Sequence, residues 1–301
     1  MHPIQLKIIK FLTEAVEHPV EVDDKLIDEF GEQCKKILRK QFTDKRADKF
    51  TLRMSNIGRP LCQLQMEKVG VKQEPIPYNM KVKFTYGDLI EALAMFIIKA
   101  SGIKVQAEQV PVDLPIGGTL IDGTLDAEID DAVFDVKSTS SYAFRTKFGP
   151  SGGFEAIRKD DTFGYVVQLA AYSAGYEKPA GGWIAINKES GEFWVTEYPS
   201  GSPVCGDLLE TCDLSIRKLL NGAPFERCFT DVAETFRRRP TGNRVLCAEC
   251  SYCPFKYECW NGVRFLPSLV SEAENKPWEY YTHIDDKYKE KNEEVSVPIY
   301  P

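Results

Sequence analysis

The sequence predicts a mixed α/β fold with helical additions at both ends, and three observations lead there. Apolar spacing runs helical, then alternating, then helical, then alternating again along the chain. The 301 residues are 43% hydrophobic, with 38 Lys+Arg against 45 Asp+Glu. That composition suits one large domain or two modest ones and excludes a disordered tail. Finally, four of the nine cysteines, Cys247, Cys250, Cys253 and Cys259, fall close together near the C-terminus, which predicts a metal-held or thiol-rich addition there.

Each element follows from its own pattern. Ile4, Ile8, Ile9, Leu12, Ala15 and Val16 predict a helix over 4–17, and Leu26, Ile27, Phe30, Cys34, Ile37, Leu38 and Phe42 predict one over 24–42. The end of the second is basic: Lys35, Lys36, Arg39, Lys40, Lys45, Arg46, Lys49 and Arg53 stand against Asp44 and Asp48. This stretch is either a phosphate-tracking edge or a solvated helix face. A Pro-containing loop over 74–79 precedes an apolar helix over 87–100 that Gly102 ends. Strands are predicted at 103–112, 118–129 and 132–139, a helix over 161–176, a hairpin of 182–188 and 191–198, and a helix over 205–221. The last thirty residues, with Trp278, Tyr280 and Tyr281, read as a strap or a partner-binding tail. The expected division is a helical region 1–50, a core 51–265 and a tail 266–301.

Composition also narrows the chemistry. Only His2, His18 and His283 are present, so Ser-His-Asp and Cys-His nucleophile systems have almost nothing to work with. The net charge of −7 argues against wholesale coating of nucleic acid, though a local basic groove is compatible with it. Neither a run of about 18 apolar residues nor a secretory leader is visible, so a cytoplasmic, intracellular chain without membrane contact is expected, its cysteines metal ligands or buried thiols.

The most informative stretch is Gly123-Thr124-Leu125-Asp126-Ala127-Glu128-Ile129-Asp130-Asp131-Ala132-Val133-Phe134-Asp135-Val136-Lys137. A tight turn at Asp130-Asp131 places Asp126 opposite Asp135, and strand alternation puts Lys137 on the same face. Opposed carboxylates need a compensating cation, and oxygen ligands of this kind suit Mg²⁺ or Mn²⁺. A solvent-facing Asp/Lys alternation is the plainer alternative. Glu91 is a lone acid in the apolar helix, costly there unless paired, metal-bound or on the wet face with Asp88. Gln168 and Tyr172 share one face of the following helix.

The ordered set Glu91, Gly123-x-x-Asp126, Asp135-x-Lys137 and Gln168-x-x-x-Tyr172 resembles the PD-(D/E)XK nuclease superfamily, in particular its RecB-like exonuclease branch, over about residues 50–260. The resemblance implies a restriction-endonuclease-like mixed sheet flanked by helices. It implies Glu91, Asp126, Asp135 and the Val136 carbonyl as ligands of Mg²⁺ or Mn²⁺, Lys137 as the catalytic lysine, and Gln168 with Tyr172 as support for the site and for DNA. Asp122 has the same strand parity as Asp126 and is the alternative ligand; a two-residue turn favours Asp126.

Cys250-x-x-Cys253-Pro254-x-x-x-x-Cys259, with Cys62 upstream, is similar to the iron–sulfur arrangement of RecB-like nucleases such as the AddB nuclease domain and the CRISPR-adaptation exonucleases. This implies a [4Fe–4S] cluster on Cys62, Cys250, Cys253 and Cys259, clasping the two ends of the core. A Zn²⁺ knot on Cys247, Cys250, Cys253 and Cys259 is the rival. Free structural thiols are expected for Cys34, Cys205, Cys212 and Cys228. The activity implied is metal-dependent DNA exonucleolysis at a free end, in recombination, repair, viral DNA processing or CRISPR spacer acquisition. A site- or structure-specific endonuclease of the same fold, or a non-catalytic zinc-held binding module, are the alternatives.

Overall fold

The computed structural model describes residues 1–44, 50–199 and 203–288, with the side chains of 203–205 excepted. Lys45, Arg46 and Lys49 of the expected basic edge, the Cys205 side chain and the end of the expected tail lie outside the described residues. In chain order the elements are α1 (Pro3–Glu17), α2 (Asp24–Phe42), α3 (Leu61–Lys68), α4 (Tyr78–Ala100), β1 (Val105–Ile116), β2 (Thr119–Ile129) and β3 (Ala132–Thr139). Then come α5 (Ser141–Ala143), a π-helical turn (Phe144–Phe148), α6 (Phe154–Lys159), α7 (Tyr165–Tyr176), β4 (Ala180–Asn187), β5 (Phe193–Glu197) and α8 (Pro203–Leu220). The rest is β6 (Val232–Phe236), β7 (Arg239–Val245), α9 (Ala248–Ser251), α10 (Lys256–Cys259), β8 (Arg264–Pro267) and β9 (Trp278–His283).

The chain divides into two compact units, Met1–Gly58 with Tyr78–Asn221, and Arg59–Pro77 with Gly222–Pro301. This differs from the expected three-part division for physical reasons. The N-terminal helices are not a separate region, because Ile4 and Ile8 of α1 are buried in the same core as Ile90, Ala94 and Ile98 of α4. Phe30 of α2 also lies 5.6 Å from Phe96 of α4, ring to ring. The tail is not peripheral either: β9 is an inner strand of its sheet and Tyr281 is 1% exposed.

The first unit is a mixed α/β structure built on a five-stranded sheet in the order β1-β2-β3-β4-β5, flanked by helices. Only β3 and β4 are parallel, and the crossover between them carries α5 to α7. Two tight turns set the register. Gly117 and Gly118 (φ 65° and 84°) join β1 to β2, and Asp130 and Asp131 (φ 51° and 60°) join β2 to β3. Positive φ at both central positions is what a type I′ hairpin requires. Short polar side chains tolerate it better than most. The even residues Phe134 and Val136 of β3 join the α4 core. Strand alternation sends Asp135 and Lys137 to the opposite face.

In the second unit, α3 accompanies a four-stranded antiparallel sheet in the order β6-β7-β9-β8 around Val245, Leu266, Leu269 and Tyr281. Its buried Glu234 carboxylate is fully occupied: Tyr281, Asn243 and Thr241 each donate to it at 2.8 Å. Helix α4 starts nine residues before the expected position, and α3 and β6 to β9 were not legible as elements. Among the described residues, no helix is long and apolar enough to cross a membrane.

Candidate functional site

The first unit brings Glu91, Asp126, Asp135 and Lys137 together. Asp135 is 2% exposed on β3, and the Lys137 ammonium two residues on donates to its Oδ1 at 2.8 Å. The other oxygen, Asp135 Oδ2, is buried with no hydrogen-bond partner. Asp126 belongs to neither neighbouring ladder. Pairing with β1 runs from Leu125↔Val110 to Ala127↔Glu108, leaving Gln109 at φ 52° opposite Asp126. Pairing with β3 ends at Ala127↔Phe134. The expected direct opposition of Asp126 and Asp135 is therefore replaced by a side-chain contact: Asp126 Oδ2 accepts the Val136 N–H at 3.0 Å. Asp126 Oδ1 accepts from Gln109 Nε2 at 3.3 Å.

Glu91 reaches the same place from α4. Its Oε1 accepts from the Ser138 backbone N–H at 3.2 Å and the Ser138 hydroxyl at 3.3 Å. On α7, Gln168 Nε2 donates to the Tyr172 hydroxyl at 3.1 Å, and Lys137 lies 5.5 Å from the Tyr165 ring. Gly123 makes room for this helix: a Cβ there would come within 2.7 Å of Tyr172 Cε1 and 2.8 Å of Met54. Helix α7 is fixed at its start by Asp161, which accepts from the Tyr165 and Val166 N–H groups at 2.7 and 2.9 Å. Asp122 stands elsewhere. It pairs with Asp113, its carbonyl accepts from Met54, and the charges acting on Asp135 are those of Lys137, Asp126 and Glu91.

The electrostatics follow from three carboxylates sharing one ammonium. Burial pushes Asp135 up to about 7 against the pull of Lys137, with Asp126 adding to the rise. Burial likewise holds the Glu91 carboxyl above the usual range. For Lys137, burial favours the neutral amine, but Asp135, Asp126 and Glu91 together outweigh it and hold the ammonium above the ordinary lysine range. A lysine held as the ammonium by these carboxylates is suited to stabilising negative charge. Burial also raises Tyr172.

Glu91, Asp126 and Val136 line a cleft of about 930 Å³ whose other wall, α2, contributes Lys25, Lys36 and Lys40 together with Asp28, Glu29 and Glu32, so its lining carries both signs of charge. Lys40 pairs with Asp88 at 3.3 Å, while Lys35 is engaged with Glu32 at 2.7 Å on the exposed face of α2. Lys147 is held by Asp160 at 2.8 Å, and Arg237, in the turn between β6 and β7, by Glu272 at 2.7 Å.

Among the described residues, no group of three or more His, Cys, Asp and Glu side chains is placed to hold a metal ion. The donor chemistry still fits a hard divalent cation. All the acids offer oxygen, the site has more negative charge than Lys137 offsets, and Asp135 Oδ2 lacks a partner.

The cysteines of the second unit form a separate site. Cys62, Cys250, Cys253 and Cys259 line one cavity of about 20 Å³ with Pro60, Phe229, Lys256 and Trp260, and Cys247 is not part of its wall. Cys247 is instead hydrogen-bonded to Cys250. Burial pushes the Cys250 thiol up to about 12 and raises Cys253 as well. Cations surround the sulfurs: Lys256 is 4% exposed and paired with Glu74, Arg59 acts on Cys253, and Arg227 donates to the Cys259 carbonyl while lying 4.3 Å from the Trp260 ring. The four thiols share this wall with Glu249 as well as Lys256, and soft sulfur donors of this kind are chemically suited to a thiolate-bound metal group. The Cys62 backbone N–H also donates to Cys228 Sγ at 3.2 Å, and the Cys62 thiol holds Cys228 down to about 6. Nothing in the spacing of the sequence signals that contact, nor the Ser138 contact of Glu91. Cys212 is a buried thiol donating to the Ile57 carbonyl at 3.5 Å.

No family profile matches this chain, and no characterised protein matches it in sequence. It is similar to a solved structure described as "Crystal structure of SSO0001", with 16% identity, a TM-score of 0.39, and coverage of 77% of this chain and 96% of that one. A likeness at that TM-score carries no argument about fold or function.

Proposed function

We propose that the chain is a metal-dependent DNA exonuclease of the PD-(D/E)XK, RecB-like kind, with its hydrolytic site at Glu91, Asp126, Asp135 and Lys137. One observation carries the reading: a buried Asp135 with an unpartnered oxygen shares a single ammonium with Asp126 and Glu91, at the side of an open cleft. A buried polar atom without a partner is costly, and strongly perturbed carboxylates of this kind cluster at functional sites. The resemblance of the ordered motif supports the same assignment.

Glu91, Asp126, Asp135 and the Val136 carbonyl are the residues that would hold Mg²⁺ or Mn²⁺. Bound there, such an ion supplies neutralisation of the scissile phosphate and a lowered pKa for the attacking water. The chain's own groups do the rest. Lys137 contributes a fixed positive charge against the developing phosphate charge. Gln168 and Tyr172 brace the carboxylate face, and Lys36 and Lys40 offer phosphate contacts in the cleft. Cys62, Cys250, Cys253 and Cys259 would hold a [4Fe–4S] cluster as a structural crosslink.

The test is digestion of end-labelled linear DNA and covalently closed circular DNA by protein purified without oxygen. Loss of the linear substrate with Mg²⁺ or Mn²⁺, arrest by EDTA and survival of the circle are expected. Cleavage of the circle would make the protein an endonuclease, and no metal-dependent cleavage of either would leave a binding module.

A further inference from the structure

The second unit gathers more sulfur than a four-ligand site uses. The sulfurs act on one another in sequence: Cys228 meets Cys62, Cys62 lies in the field of Cys253, Cys253 in that of Cys259, and Cys250 meets Cys247 and lies in the field of Cys253. Cys62 is the one member of the set outside the C-terminal triplet, and Cys228 stands beside it. Its sulfur is 3.2 Å from the Cys62 backbone nitrogen, with the Leu61 N–H and the Cys62 thiol also directed at it. The following residue, Phe229, forms part of the cavity wall. Cys228 is exposed, so its side chain has room to turn. This contact sets the Cys228 sulfur beside residue 62, next to the cavity that the Cys62 side chain lines.

We propose that Cys228 is a second, interchangeable thiolate for the Cys62 corner, so that either residue completes a four-thiolate set with Cys250, Cys253 and Cys259. This rests on the iron–sulfur reading given above. Exchange changes no oxidation state: the Cys228 thiol loses its proton to solvent and its sulfur binds the iron that Cys62 leaves, while Cys62 takes up a proton. With Cys62 bound, Cys228 stays outside the set. Its loss alone then costs nothing.

The experiment compares wild type, Cys62→Ala, Cys62→Ser, Cys228→Ala, Cys62→Ala/Cys228→Ala and Cys250→Ala, all prepared without oxygen. It reads iron and sulfide per chain, visible absorption, and the electron paramagnetic resonance spectrum after dithionite reduction. Wild type and Cys228→Ala are expected to be brown and alike. The Cys62 single variants should keep most of their iron with an altered resonance spectrum. The double variant should keep no more iron than Cys250→Ala. Iodoacetamide labelling read by mass spectrometry adds a measurement on folded, loaded protein: Cys228 should react in wild type and be protected in Cys62→Ser. A brown wild type with Cys62 variants as empty as the double variant overturns the inference alone, as does full labelling of Cys228 in iron-loaded Cys62→Ser. An iron-free, colourless wild type overturns the cluster reading and the inference with it.

Discussion

Asp135 and Asp126 are the side chains on which hydrolysis depends in this proposal. Asp135→Asn and Asp126→Asn should each lower the single-turnover cleavage rate by about 100-fold or more, with the melting curve confirming a folded protein. Asp122→Asn should cleave like wild type, because Asp122 faces Asp113 and is not among the charges acting on Asp135. Loss in Asp122→Asn with full activity in Asp126→Asn would reassign the ligand. Glu91 makes a different prediction. Burial raises its carboxyl against the pull of Lys137, and Asp126 adds to the rise. Glu91→Gln keeps an acceptor for Ser138 and removes one of three like charges, so the metal-free protein should gain about 1 kcal/mol while cleavage is lost. Thermal melting in EDTA reads the gain; a lowered midpoint would mean that attraction to Lys137 dominates. The Asp126, Asp135 and Lys137 face was legible because strand alternation and a two-residue turn are local rules. The Ser138 contact of Glu91 and the Cys228 contact of Cys62 join residues 47 and 166 positions apart, which no spacing rule reaches.

The helices and strands with strong periodicity, α1, α2, α7, α8 and the hairpin of β4 and β5, stand within a few residues of where the sequence puts them. Those it missed are short or polar. Strand β6 spans five residues, β8 four, and β7 begins at Arg239, so alternation there is hidden by charge, and β9 pairs with β7 across a long sequence separation. The early start of α4 has a similar cause: Tyr78 and Val82 are exposed and set no core-facing stripe over its first turns. Contact between elements is close where α7 crosses β2. Gly123 leaves no space for a methyl group, since its ideal Cβ meets the Tyr172 ring at 2.7 Å and Met54 Cβ at 2.8 Å. Gly123→Ala should therefore push α7 outward, costing about 1–3 kcal/mol, and should reduce cleavage through displaced Gln168 and Tyr172. Melting curves and cleavage rates of Gly123→Ala, alone and with Tyr172→Ala, check this: the second substitution, which removes the ring, should recover part of the stability difference.

At the scale of the whole molecule, the two units rest on unequal foundations. The first has a continuous core joining α1, α4 and strands β2 to β5, from Ile8 through Ile98 and Ile129 to Val195. In the second, the core around β7, β8 and β9 is the cluster of Val245, Leu266, Leu269 and Tyr281, beside a buried polar network at Glu234. Small cores are commonly completed by a metal or cluster, whose binding free energy becomes folding free energy. The second unit is also assembled from two distant segments, and Cys62 belongs to one while Cys250, Cys253 and Cys259 belong to the other. A cluster across these four cysteines would close that loop, and its removal would release a long stretch of chain. Stripping iron from anaerobically prepared protein with a strong chelator should therefore unfold the second unit selectively. In hydrogen exchange read by mass spectrometry, peptides from α3 and from β6 to β9 should lose protection while those from β1 to β5 keep theirs. Equal loss across both sheets would mean that the units fold as one, and unchanged protection in β6 to β9 would show that the hydrophobic and Glu234 contacts suffice without the cluster.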